Sequence, residues 1–451
     1  MKRIFGNAEF LKRLVLIALP IGLQSVINLL VNLIDTIMIG RLGDIALSAV
    51  NLSSQFPFLY MTAVMGVANA GLIIASQAFG NNRPDRVRAM LSFCLKIAAV
   101  LNIIFFALSF FVPEFIVSIY TNDAEIIVQG GRYLKILSFS MLFQSFAQTA
   151  VIILRSAGIS RLGFTSSLFA CLANVFFNWV FIFGNLGAPA MGIPGAALGT
   201  VLARVTEMIV VIIGVAMDTK LGWRLSDLRD RLDAPAKADF IRIGTPSIIS
   251  EVTQNLNVSA AAMITGRVSQ YYIAANTIVH NIWTVSSLFM FGLSMGANVI
   301  IGNVIGSNEM EKADEYAGYF INLAALIGLA AAFLTQIIAP VITGFFNVSP
   351  QALATAAELT KAAGIAVFFL AMQMILTKGV LRGGGQAAAV TRVDLLTCWL
   401  INIPCGFIVA LVLHLNPFWI YLSLRVDYLI KTVWAVWKIK KTDWKIRLNV
   451  D

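Results

Sequence analysis

Apolar residues come in twelve long stretches separated by polar or Gly/Pro-containing breaks, with approximate limits 14–39, 46–79, 90–112, 133–154, 162–184, 193–216, 239–265, 272–302, 314–343, 356–379, 388–412 and 416–437. A helix needs about 20 apolar residues to cross a hydrocarbon layer roughly 30 Å thick, so each stretch predicts one crossing. The second and eighth are long enough to tilt or to continue past the bilayer. The first exceeds the apolar region of a signal peptide and has no small-residue cleavage site after it, so it is expected to stay as a span. The pattern predicts an all-α integral membrane protein of twelve transmembrane helices.

The chain also repeats itself. Pro20 recurs as Pro246, Gly40-Arg41 as Gly266-Arg267, Gly66 as Gly292 and Gly80 as Gly306, every pair 226 residues apart. LRSAG (Leu154 to Gly158) recurs as LRGGG (Leu381 to Gly385) at 227, one residue having been inserted between. Isolated glycine matches are cheap in an apolar chain, but several in one register are not. Two pseudo-symmetric six-helix lobes follow, with expected limits of 1–216 and 239–451 and a linker at 217–238. An even number of spans per lobe gives both the same orientation, as in carriers built from parallel repeats that hold substrate between the halves and rock about it.

Of the 451 residues, 59% are apolar and 12% charged, and the mean hydropathy is +0.83. Soluble domains run at about 45–50% apolar and about 25% charged, which excludes a soluble enzyme. The net charge of +10 is spread over short loops, a record of topology that points away from nucleic acid. Twenty-four of the 33 basic residues fall on the two termini or on the loops sharing their side, which predicts both termini cytoplasmic in a plasma (inner) membrane. Within the linker, LGWRLSDLRDRL places Trp223, Leu225, Leu228 and Leu232 either on the membrane surface or in a solvated connection. Cys94, Cys171, Cys398 and Cys405 have no metal-ligand spacing and read as small core residues.

Ionisable groups at membrane depth are costly, so those that remain are functional candidates. Asn28, Asn32 and Asp35 occupy one face of the first span, Asn174 and Asn178 one face of the fifth, and Thr200 lies in the sixth. At 1.5 Å per residue, Asp35, Asn178 and Thr200 share a level roughly 6 to 10 Å below the outer surface. One carboxylate among amide and hydroxyl oxygens suits Na⁺, or a proton on the carboxylate alone. The structural alternative has the asparagines holding helices together and Asp35 paired with a cation such as Arg41. In the seventh span, Glu251, Gln254 and Asn255 share a face, and Glu251 lies near the midplane. It reads either as a group that exchanges a proton or as a permanently neutral hydrogen-bonding partner. Arg204 and Glu207 are spaced to neutralise each other, whereas Lys378 and Arg382 read as snorkelling topology residues outside any site. Phe143, Trp283, Phe289 and Met290 are aromatic or soft side chains that either line a substrate cavity or belong to the core or lipid face.

The stretches NLIDTIMIGRLGDIALSAVN (32–51), GVANAGLIIASQAFGN (66–81), ILRSAGISR (153–161), NVFFNWVFIFG (174–184), MGIPGAALGT (191–200), PSIISEV (246–252) and VLRGGGQ (380–386) together resemble the multidrug and toxic compound extrusion (MATE) transporters. The resemblance implies a twelve-helix carrier exporting amphipathic, often cationic compounds against an inward Na⁺ or H⁺ gradient. It puts Asp35 on the first-helix coupling aspartate, Asn174, Asn178 and Thr200 on the N-lobe cation site, and Glu251 on the seventh-helix glutamate of the sodium-type branch. Asn178 stands where some members have a second aspartate, and the tenth span has only Gln373 and Lys378 where an acid occurs elsewhere. Asn28, Asn32, Gln254, Asn255, Phe289 and Met290 are the expected cavity-lining residues.

The leading reading is therefore a secondary antiporter, expected to act as a monomer on a small molecule with no cofactor beyond its coupling ion. It has no GxxxxGK[ST] phosphate loop for ATP. A rival from the same superfamily is a flippase for a lipid-linked precursor, disfavoured because Arg204 is the one buried arginine the sequence places at depth. An intramembrane hydrolase would need HExxH, GxSxG or paired aspartates, and none is present. A receptor or channel is disfavoured by the duplication.

Overall fold

In the computed structural model, which describes residues 6–230, 232–344 and 349–448, the chain is helical with no strand among those residues. The first six long helices are α1 (Ala8–Gly40), α2 (Asp44–Gly80), α3 (Pro84–Phe111), α4 (Ala124–Ala157), α5 (Arg161–Phe183) and α6 (Ile193–Met217). They are followed by α7 (Ala234–Thr265), α8 (Gln270–Gly306), α9 (Met310–Thr343), α10 (Pro350–Leu381) and α11 (Ala387–Val412). The twelfth, α12, comes in two pieces, Pro417–Ser423 and Val426–Lys441. Among the described residues, ten helices are long and apolar enough to cross a membrane. The other two are α7, diluted by its polar stripe, and α12, broken at Leu424 and Arg425. The twelve-helix expectation holds.

Helix ends differ from the apolar stretches because a polar turn can continue a helix. Thus α4 starts at Ala124, well before its apolar stretch at about 133, because the Asp123 side chain accepts the free N–H groups of Glu125 and Ile126 (2.9 and 3.2 Å). Ser349 caps α10 in the same way, accepting from the Ala352 N–H at 3.3 Å. The repeat is visible in these elements. Pro20 and Pro246 lie inside the first helix of each half, and Gly80 and Gly306 end the second.

The chain divides into two compact units, one of Leu23–Phe79 and Arg83–Lys237, the other of Met1–Gly22, Gly80–Asn82 and Ala238–Asp451. The division passes through α1, residues 8–22 going with the second unit and residues 23–40 with the first. In the first unit, Ile39, Val50, Leu137, Ile182 and Ile193 form one core, closed where α6 presses its glycines against α5. A Cβ at Gly195 would sit 2.4 Å from the Phe181 carbonyl oxygen, so only glycine permits that approach. In the second unit, Phe10 packs edge-on and tilted among Tyr316, Tyr319 and Phe320 with ring centroids 4.9–5.3 Å apart.

The linker does neither of the things its sequence suggests. Trp223 is buried with its indole N–H donating to Ser92 Oγ (3.0 Å), and Leu221 and Leu232 are buried too. Lys96 donates to the Asp230 carbonyl (2.8 Å) and Arg86 pairs with Asp233 (2.9 Å). The segment folds back on α3, with Leu225 and Leu228 in a short 3₁₀ turn, Leu225–Arg229. Burying the indole and leucines inside the unit removes the apolar face that would have sought the membrane surface.

Gly195→Val is expected to destabilise the first unit by about 1–3 kcal/mol through overpacking. Gly318→Val, where a Cβ meets nothing within 4 Å, should be close to neutral. Thermal unfolding of the purified variants in detergent compares the two.

Candidate functional site

Asp35, Asn174 and Asn178 come together. Asn178 Nδ2 donates to Asp35 Oδ1 at 2.6 Å and lies 3.3 Å from Asn174 Oδ1. Both asparagines are buried, and Gly199 of α6 gives Asn178 its room, since a Cβ there would lie 2.1 Å from Asn178 Oδ1. That oxygen is buried and has no hydrogen-bond partner among the described residues. Asp35 has no ion pair among the described residues, so the alternative in which Arg41 neutralises it is overturned. Thr200 turns its hydroxyl to the Ala196 carbonyl of its own helix (3.1 Å). Arg204 pairs with Glu207 at 2.7 Å as the spacing predicts, and Gln148 donates to the same carboxylate at 3.0 Å. Asn28 and Asn32 are exposed on the face of α1 that carries Asp35.

Glu251 has different surroundings. Its carboxylate pairs with Lys378 at 3.2 Å and with Arg382 at 3.0 Å. Lys378 and Arg382 were expected to be topology residues outside any site. Instead they turn inward from α10 onto α7, because a carboxylate at depth holds a cation more tightly than the distant interface can draw it. Glu251 is therefore not the solitary acid its sequence position suggests. The local helix geometry contributes, since residues Met374–Leu381 form a wide π-helical stretch. The carbonyls of Met374 and Lys378 accept from Ser294 Oγ and Asn298 Nδ2 of α8 (2.8 and 3.1 Å), side chains that satisfy backbone groups no water can reach.

The pairing continues through residues the sequence reading passed over. Arg382 Nη2 donates to Ser250 Oγ (2.8 Å), Ser250 donates to Asp394, and Asp394 pairs with Lys431 (2.9 Å), which also holds Asp427 (2.9 Å). Gln254 donates to Asp394 at 3.3 Å. Three acids and three bases thus form one net-neutral chain across α7, α10, α11 and α12. Asn255 stays exposed and outside it. The signal for Asp394, Asp427 and Lys431 was available, namely ionisable residues inside the eleventh and twelfth apolar stretches. The assumption that Arg204 is the one buried arginine is corrected too: Arg155 and Arg382 are buried, as is Lys431.

The two halves share this scaffold. In the register of 227, Arg155 matches Arg382 and Ser167 matches Asp394, while Gln24 matches Ser250 at 226. Arg155 Nη2 donates to Gln24 Oε1 (2.9 Å) and Gln24 donates to Ser167 (3.0 Å), a copy of the Arg382, Ser250 and Asp394 arrangement in which the arginine's partners are neutral.

Among the expected cavity residues, Phe289 is half-exposed. Met290 is buried among Ala331, Val367, Leu370 and Ala371, so it belongs to a core. Apolar periodicity cannot separate those fates. Phe143 lines an apolar cavity of about 520 Å³ with Phe110, Phe139 and Val205. No cluster of three or more His, Cys, Asp or Glu side chains that could hold a metal occurs among the described residues.

The MatE family model matches this chain twice, over residues 20–180 and 246–408, and the two matches begin on the repeated prolines. The chain belongs to the MatE family. It is a multi-pass membrane transporter and not an enzyme. It is 24% identical over 433 residues to Probable multidrug resistance protein NorM of Thermotoga maritima, covering 94% of this chain and 91% of that protein. Its fold matches the Vibrio cholerae MATE transporter VcmN in the bent form with a TM-score of 0.86, at 15% identity, over 96% of this chain and 97% of the other. It likewise matches a MOP superfamily transporter from Pyrococcus furiosus with a TM-score of 0.82, at 19% identity, over 97% of both chains.

Lys431→Met removes the cation from two buried carboxylates and is expected to cost about 3–5 kcal/mol. Replacing Asp394 by Asn in the same background should recover part of that loss. Unchanged thermal unfolding of the single variant in detergent would show that the charges do not act as a unit.

Proposed function

We propose that this protein is a cation-coupled antiporter, driven by H⁺ or Na⁺, that exports amphipathic cationic drugs or toxic metabolites by alternating access. The carrying observation is the state of Asp35: a carboxylate at membrane depth, bonded to Asn178 beside Asn174, with no ion-pair partner among the described residues. Arg204 is already matched by Glu207, so the cluster keeps a net negative charge. A site of that charge binds the coupling ion in one state and attracts a cationic substrate in the other, and one carboxylate cannot serve both at once. Asn174, Asn178 and Thr200 supply the neutral oxygens that Na⁺ would require, and Asn178 Oδ1 has no other partner. Glu251, held by two cations, acts in this reading as a charge-balanced support for the second half. The name of the Thermotoga maritima relative supports the efflux part of the reading.

A flippase for a lipid-linked precursor would need cations free to meet a pyrophosphate. Lys378, Arg382 and Lys431 each pair with a carboxylate and Arg155 is bonded to Gln24, which supports the antiporter over this alternative. The orientation proposed has both termini and the 217–238 linker in the cytoplasm of a monomer in the plasma (inner) membrane, supported by the distribution of basic residues.

In proteoliposomes with Na⁺ and pH gradients imposed separately, Asp35→Asn is expected to abolish gradient-driven efflux. It should also erase the ion-dependent change in substrate affinity, on the order of 5- to 150-fold in coupled systems. Asn178→Ala separates the ions: loss of the Na⁺ response indicates a coordinated metal ion, and retained transport with a shifted pH profile indicates a proton. Wild-type pumping by Asp35→Asn would refute the mechanism. Topology is checked on intact cells in a background lacking the native cysteines. An impermeant thiol reagent should reach a cysteine at position 188 and miss those at 228 and 445, and labelling at 228 would overturn the orientation.

A further inference from the structure

The last helix changes character within two turns. Val433 (61% exposed) and Trp437 (50% exposed) present an apolar face, and Lys438, Lys440 and Lys441 follow at once. That sequence of side chains marks where a helix leaves hydrocarbon for the headgroup region. At Thr442 the helix stops and the chain turns back over the end of its own unit. There the indole N–H of buried Trp444 donates to Asp314 Oδ1 (3.0 Å), Lys445 pairs with Asp314 Oδ2 (2.5 Å), and the Ile446 N–H donates to the Gly384 carbonyl (2.9 Å). Trp444 lies over Gly384, where a Cβ would meet the ring at 2.7 Å. The returning segment is therefore held in place, and it walls off a cavity.

That cavity, of about 330 Å³, is lined by Asp314, Ile321, Lys440, Lys441, Thr442 and Lys445. A second, almost wholly apolar groove of about 390 Å³ runs beside it along Val433, Val436 and Trp437, and the two share Lys440 and Lys441. Asp314, the one acid in the lining, is engaged by Trp444 and Lys445. Lys440 and Lys441 have no acidic partner among the described residues. A cationic pocket opening onto an apolar groove at interface depth asks for a ligand with an anionic head and an alkyl tail.

We infer that this is a binding site for an anionic glycerophospholipid. The phosphate sits against Lys440 and Lys441 with Lys445 at its side, the headgroup occupies the cavity, and an acyl chain lies along Val433, Val436 and Trp437. A zwitterionic lipid would bring its own ammonium into the same lysines, which selects against it. Each lysine near an anionic surface contributes about fivefold in affinity, so two unpaired lysines give a preference of roughly an order of magnitude or more. The inference depends on the membrane setting and is independent of which ion or substrate the transporter moves.

The test is native mass spectrometry of the detergent-purified full chain, titrated with phosphatidylglycerol or with phosphatidylcholine of the same acyl chains. Wild type should retain phosphatidylglycerol at least about tenfold better, and Lys440→Gln with Lys441→Gln should abolish that preference. Val433→Ser with Trp437→Ser should weaken phosphatidylglycerol binding while leaving both lysines in place. Lys220→Gln, an equal kind of charge change in the linker, should leave binding unaltered. Equal retention of the two lipids by wild type, an unaltered double-lysine variant, or a matching loss in Lys220→Gln would each overturn the site. Displacement of phosphatidylglycerol by inorganic phosphate at equal concentration would assign the pocket to a free anion and overturn the lipid.

Discussion

Inside a hydrocarbon layer no water is available to take the place of a missing partner, so every polar group carried there must be answered by another part of the chain. That requirement accounts for most of what distinguishes this transporter from a bundle of greasy helices. It draws Lys378 and Arg382 back from the interface onto Glu251, seats Lys431 between Asp394 and Asp427, and pins Arg204 on Glu207. It also explains the side chains of α8 that reach the widened turn of α10. Against that background a carboxylate with no ion-pair partner among the described residues is informative, and Asp35, answered only by the amide of Asn178, is such a group.

The duplication shows how one scaffold carries two chemistries. The arginine at the end of the fourth helix of each half reaches the first helix of that half: Arg155 to Gln24, and Arg382 to Ser250 and Glu251. In the first half the partners are neutral, and the free carboxylate stands elsewhere, on Asp35. In the second half Ser167 is matched by the carboxylate Asp394 and Ser25 by Glu251, and the charges compensate one another. The register carries this further, since Thr200 matches Asp427 and Arg204 matches Lys431. Among the described residues the first half leaves Asp35 without an ion-pair partner, whereas the second sets its charges against one another.

What the sequence made legible follows from how local each cause is. A bilayer imposes its thickness on every span, so the number of helices could be read from apolar length alone. The grouping of Asp35 with Asn174 and Asn178 was legible because helical rise converts position into depth. Ion pairs between helices were not, because depth says nothing about which faces meet. Glu251 looked solitary for that reason, and Lys378, at the end of its apolar stretch, looked like an anchor. Met290 and Trp223 failed in the same way: an apolar side chain gives no sign of whether it packs inward, lines a cavity or meets lipid. Helix starts such as Ala124 and Pro350 were missed because a capping side chain extends a helix through polar residues.

The wide stretch in α10 has a history written in the numbering. Asp123 and Ser349, which cap α4 and α10, still stand 226 residues apart, whereas Arg155 and Arg382 stand 227 apart. The additional residue of the second half therefore entered between the cap and the arginine, within or at the end of one helix. A π-helical turn takes up one residue more than an α-turn without opening the hydrogen-bond ladder, and Met374–Leu381 is such a turn, ending beside Arg382. The insertion was absorbed as girth rather than as a kink, which kept Arg382 facing the first helix of its half as Arg155 does. Within that stretch stands Lys378, paired with Glu251, where the corresponding residue of the first half in either register, Val151 or Ile152, carries no charge.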